Sequence, residues 1–86
     1  MIHFLLGESR PLEFEVTYTD GSDFVISEAK YELLKNGEVI DSGSMAIAEH
    51  ILSHVFTPEE EGYYEFEVSY TVGQTTKMGR FTIKVD

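Results

Sequence analysis

Three consecutive glutamates, Glu59, Glu60 and Glu61, stand just before Gly62 and the tyrosines Tyr63 and Tyr64, in the stretch FTPEEEGYYEF at residues 56–66. Clustered carboxylates are what calcium or magnesium needs, because hard cations take several oxygen ligands. Three contiguous side chains cannot converge on one ion, however, and the alternating spacing of an EF-hand loop is absent. The ordinary reading, a solvated loop beside one structural acid, is preferred. His50 and His54 raise a second possibility, a metal site with His3 as third ligand. On a strand rising about 3.3 Å per residue they stand roughly 13 Å apart, and only a helical turn would bring them together. Surface or half-buried histidines are the simpler expectation. Ser53 and His54 are adjacent, so on a strand they face opposite ways and cannot act as nucleophile and base.

The remaining chemistry is weaker. Glu13 with Glu15, and Glu65 with Glu67, are pairs at strand spacing. A glycosidase needs two carboxylates facing each other across a cleft, whereas same-strand neighbours suit solvation. Gly21, Gly37, Gly43, Gly62 and Gly73 are isolated turn glycines, so no phosphate-cradling loop is formed. The expectation is a protein without catalytic residues, cofactor or metal.

The elements that must carry these residues are strands. In PLEFEVTY, period-two alternation sets Leu12, Phe14, Val16 and Tyr18 on one face and Glu13, Glu15 and Thr17 on the other. DGSD, at 20–23, makes a turn. EAKYELLKNGEVIDSG reads as a hairpin around Asn36-Gly37, where both positions tolerate positive φ. That register sets Leu33 opposite Ile40, Leu34 opposite Val39 and Lys35 opposite Glu38. A second hairpin closes at Gly73-Gln74, a pair suited to a type II′ turn. Its register pairs Phe66 with Phe81, Tyr64 with Ile83 and Glu67 with Arg80, so apolar faces coincide and an acid meets a base. SMAIAEHILSHVFT reads as two short strands broken near Glu49, although MAIAEHIL alone fits a helical turn. Whether His50, Leu52, His54 and Phe56 or Ile51, Ser53 and Val55 face inward is left open by the alternation. The expected architecture is one all-β domain spanning 1–86, a sandwich of about seven antiparallel strands.

Composition supports one soluble domain. Eighty-six residues bury a single core with little margin. At 42% hydrophobic and 13% aromatic the chain is too apolar for disorder despite a net charge of −10. Six scattered Lys and Arg make nucleic acid an improbable partner, because the counterion-release term is missing. MIHFLLG lacks a basic flank and a cleavage site, and no stretch approaches a membrane span, so no membrane partner is expected. The chain has no cysteine and hence no disulfide framework.

Glu60-x-Gly62-x-Tyr64-x-Phe66 has the spacing of the corner that leads into strand F of immunoglobulin-like domains. Pro58 ends the preceding strand because it cannot donate to a ladder. Gly62 permits the bend, and Tyr64 buries its ring while its hydroxyl returns to an upstream backbone group. Phe66 stands where such domains carry their second cysteine, leaving apolar packing to join the sheets. Tyr63 and Glu65 point outward. Leu34 and Val39 share the outer face near a sheet edge and, with Tyr63, form a candidate contact patch for another subunit, edge pairing beside it included.

Taken together, GESRPLEFEVTYTDGSDFVISEAKYELLKNGEVIDSG and FTPEEEGYYEFEVSYTVGQTTKMGRFTIKV resemble a small immunoglobulin-like module of Gram-positive phages and prophages, found alone or at the amino end of baseplate upper proteins. Gly7-Glu8-Ser9 stands for that module's opening triplet, and Ile26-Ser27-Glu28-Ala29 for its segment before strand C. The resemblance implies a complete small protein of the virion or its assembly, non-enzymatic and working through protein contacts, located in the virion or host cytoplasm. It supplies no active-site residues. Related modules in bacterial surface and secreted proteins leave a second expectation, a spacer or binding module that recognises carbohydrate or protein through outward aromatics such as Tyr63.

Overall fold

The computed structural model describes residues 1–17 and 24–86. The predicted turn at 20–23 and the inward assignment of Tyr18 lie outside them. Among the described residues eight strands form two sheets: β1 (Ile2–Phe4), β2 (Arg10–Glu15), β3 (Ile26–Lys35), β4 (Glu38–Ser44), β5 (Ala46–Ala48), β6 (Ile51–Phe56), β7 (Gly62–Val72) and β8 (Thr75–Val85). The larger sheet runs β1-β8-β7-β3-β4 and the smaller β2-β6-β5. They pack face to face as an all-β, sandwich-like fold around Phe4, Leu12, Tyr31, Leu52, Phe66 and Ile83. Among the described residues no helix is long and apolar enough to cross a membrane.

The expectation of about seven antiparallel strands needs correction. Among the described residues there are eight, and β1 runs parallel to β8, with Ile2 opposite Ile83 and Phe4 opposite Val85. Three residues are too few to show an alternation, and a pairing between the two ends of the chain leaves no local signal. The backbone continues this clamp, since Leu6 N–H donates to Asp86 O at 2.8 Å and Asp86 N–H to Phe4 O at 3.1 Å. The chain then bends at Gly7 (φ 84°) and enters the other sheet as β2. Pro11 lies opposite Val55 on this edge strand.

Both hairpins form through their two-residue turns. Asn36 (φ 55°) and Gly37 (φ 82°) adopt the paired positive values of a type I′ turn. Lys35 faces Glu38 and Leu34 faces Val39 as read from the sequence, but Leu33 faces Asp41, not Ile40. A β-bulge inserts Ile40 into β4. The bulge is cheap there because β4 is an edge strand, and it twists that edge away from further pairing. The β7–β8 ladder is unbroken, with Tyr64 opposite Ile83, Phe66 opposite Phe81 and Glu67 opposite Arg80. Another irregularity, between Ile26 and Glu28, moves the inward set of β3 from Ile26 to Ala29, Tyr31 and Leu33.

The ambiguous middle is two strands. Ala48 pairs with Ile51 across Glu49-His50, and Glu49 takes φ 55°. Leu52 and Phe56 are buried while Ile51 and Val55 are exposed, so β6 turns its even-numbered residues inward. His54 therefore faces the inter-sheet space, against Tyr31 and Phe66.

Candidate functional site

The acidic-aromatic corner is a structural device. β6 ends at Phe56, Pro58 is buried, and β7 starts at Gly62 with φ 126°, a value open to glycine and strained for other residues. Tyr64 is buried, and its hydroxyl donates to the Glu60 carbonyl at 2.7 Å. The loop's carbonyl is thereby tied to a ring anchored in the core. Lys35, at the end of β3, reaches the same loop. Its ammonium donates to the Glu60 carboxylate at 2.7 Å and to Glu61 O at 3.2 Å, and lies 5.1 Å from the Tyr64 ring centre. That lysine holds the Glu60 carboxyl below its usual range. The arrangement clamps a loop and gathers no carboxylates around a shared point.

Phe66 is fully buried at the middle of a row of rings crossing the core. Its centroid lies 5.7 Å from Phe14 and 5.3 Å from Tyr31, both nearly parallel to it. Phe14 stacks on Phe81 at 4.4 Å, and Tyr31 on His54 at 4.0 Å. The row links both sheets, as packed side chains do without a covalent bridge.

The histidines separate. His3 pairs with Asp86 at 2.6 Å on the surface, and His50 stacks on Phe24 and bonds its carbonyl at 3.0 Å. Among the described residues no three His, Asp or Glu side chains come together as a metal would require. Glu13 and Glu15 are exposed on β2. Glu65 and Glu67 share Arg80, at 3.6 and 2.8 Å.

One grouping was missed from the sequence. Tyr31 donates its hydroxyl to Asp41 Oδ2 at 3.0 Å, and the His54 imidazole lies over the Tyr31 ring. Asp41 Oδ1 accepts the N–H of Ser42 at 3.0 Å. Asp41 and His54 of this group line a cleft of about 430 Å³ between β3–β4 and the second half of β6, together with Phe56, Pro58 and Tyr64. The inward alternation of Tyr31 was visible, but its meeting with Asp41 depends on the inserted Ile40. Burial pushes the Tyr31 hydroxyl up, helped by Asp41, and burial pushes His54 down against an opposing pull from Asp41.

A pH dependence follows. The unfolded chain binds a proton at His54 more readily than the folded one, so stability falls as pH drops below the ordinary histidine value. Between about pH 7.5 and 5.5, above the carboxylate range, the urea midpoint is expected to decline, and less steeply in His54→Gln. Equal slopes in both proteins would show that His54 contributes nothing.

Leu34, Val39 and Tyr63 occupy one end of the outer face of the larger sheet. Leu34 is half-buried, while Val39 and Tyr63 are 50% and 58% exposed. Leu34 and Tyr63 line one shallow depression with Glu65 and Thr82.

These features define a small all-β domain of two packed sheets with a clamped corner. No family model matches the chain, and no curated protein matches it at a significant level. Its fold is similar to part of an engineered protein whose crystal structure was solved at 1.98 Å, at 14% identity and a TM-score of 0.77. That match spans 99% of this chain and 18% of the engineered one. At such identity the likeness concerns the fold alone.

Proposed function

We propose that the chain is an immunoglobulin-like module acting through protein contacts, non-enzymatic, and a phage or prophage virion or assembly protein. The immunoglobulin-like reading rests on the Tyr64 hydroxyl bonded to Glu60, the bend at Gly62 and Phe66 at the position of the second cysteine. The phage assignment rests on the sequence resemblance.

The observation that carries the interaction reading is the apolar end of the outer sheet face, where Leu34, Val39 and Tyr63 lie together beside an edge strand. The edge itself is blunted. The bulge at Ile40 breaks its regularity, and Asp41 takes the N–H of Ser42. Contact through side chains is therefore favoured over strand pairing along β4. Carbohydrate recognition fits less well, because it asks for coplanar exposed aromatics. Tyr63 points outward, whereas the other exposed ring among the described residues, Phe81, lies on the inward face against Phe14.

Leu34→Glu is expected to leave the melting temperature within a few degrees and to abolish self-association on a sizing column. Unchanged elution of an oligomer, or a wild-type chain that is monomeric at every concentration, would discard the patch as a self-contact. Mass spectrometry of particles released after prophage induction in the source strain tests the virion assignment, and absence of the chain from purified particles would refute it.

A further inference from the structure

The cleft between the two sheets has a feature its lining does not by itself explain: one of its walls is an unfinished ladder. β5 covers β6 only from Ile51 to Ser53, because its chain leaves at Met45 for the other sheet, where Met45 N–H donates to Ala29 O at 3.0 Å. β6 continues as His54, Val55 and Phe56 with β2 on one side alone. Antiparallel ladders alternate residues that bond their partner with residues that point away. Val16 N–H donates to His50 O at 2.8 Å, so the even-numbered residues of β6 bond β2. By that alternation the N–H and C=O of Val55 point into the cleft. Pro11, opposite Val55, agrees, since its missing N–H belongs to a position that does not bond β6.

The cleft beside this edge has the volume of a ligand site. Leu33, Ile40, Phe56 and Tyr64 form its apolar walls, and Asp41, Glu59 and Glu60 its rim, against His54 and one lysine, Lys35, already bonded to Glu60. A second copy of a chain with net charge −10 would bring the same acids to the same place.

We propose that this wedge receives an extended segment of another protein that pairs its backbone with Val55 and sets a lysine or arginine side chain between Asp41 and the 59–60 rim. The backbone pairing supplies register, the apolar walls take the flanking side chains, and the acids select the sign of the charge. This rests on reading the chain as an interaction module and adds where, and to what chemistry, it binds.

The test uses the full chain, immobilised, against a random library of linear twelve-residue peptides, followed by amide exchange with one selected synthetic peptide. Binders are expected to carry Lys or Arg within an apolar, β-branched run, to slow exchange at the Val55 amide at least tenfold, and to weaken steeply with salt. Asp41→Asn is expected to reduce binding at least fivefold and Val55→Pro to abolish it. The wild-type exchange experiment stands without either variant, should one fold poorly. A library yielding no binder, binders without basic residues, or binders that leave Val55 exchange unchanged would overturn the proposal. The Leu34→Glu sizing experiment reads a different face, so the outer patch and the wedge can fail separately.

Discussion

Phe66→Ala is expected to remove about 3–5 kcal/mol of stability, the usual range for emptying a fully buried phenylalanine site. Small domains hold only about 5–15 kcal/mol in total, so the variant loses a large share of its stability. The loss exceeds a simple transfer cost because Phe66 has a ring on each side, Phe14 at 5.7 Å and Tyr31 at 5.3 Å. Removing the middle of the row leaves both neighbours facing a void, and β-sheet backbones cannot collapse to fill it. Phe66→Leu should recover more than half of the loss. Urea unfolding checks this, with a lower midpoint and an unchanged slope as the signature of a native-state effect. A loss below about 1 kcal/mol in the alanine variant would mean that the row is not what joins the sheets.

Tyr64→Phe isolates the corner hydrogen bond from the ring that carries it. The ring stays buried and still lies beneath Lys35, since phenylalanine also attracts a cation, so only the 2.7 Å bond to Glu60 O is lost. The expected cost is about 1 kcal/mol, a fall of roughly 4–8 °C in melting temperature for a domain of this size. Amide exchange should quicken in the 57–61 loop before it does in β7. Glu60 is solvent-exposed, so water can replace the lost donor. An unchanged melting temperature would show that water does so fully and that the corner is held by Pro58, Gly62 and packing. Comparison with Lys35→Met separates this bond from the ion pair, which is surface-exposed on its Glu60 side and expected to matter little.

Both effects bear on the proposed role. A module that works by contact must hold its outer face flat and its wedge open, and its two anchors are the ring row and the corner. Loosening the corner should therefore weaken wedge binding before it affects the outer patch, because Glu59, Glu60 and Tyr64 line the wedge directly.

Legibility in the sequence followed distance along the chain. Asn36-Gly37 and Gly73-Gln74 set their turns through their own backbone preferences, and the alternation beside them allows one register without burying charge, so the β7–β8 pairs could be read residue by residue. The corner was equally readable, because Glu60 and Tyr64 are four residues apart and their bond is local. Leu33 against Ile40 was misread because a bulge depends on β4 being an edge, which is a property of the sheet. β1 escaped notice because its partner lies at the opposite end of the chain, and the inward face of β6 stayed open because His50 and His54 alternate with apolar residues on both sides. The grouping of Tyr31, Asp41 and His54 joins three strands from two sheets. Side-chain periodicity and turn chemistry act over a few residues, whereas strand order, bulges and inter-sheet gaps arise when distant segments compete for the same apolar surface, and that competition is resolved in three dimensions.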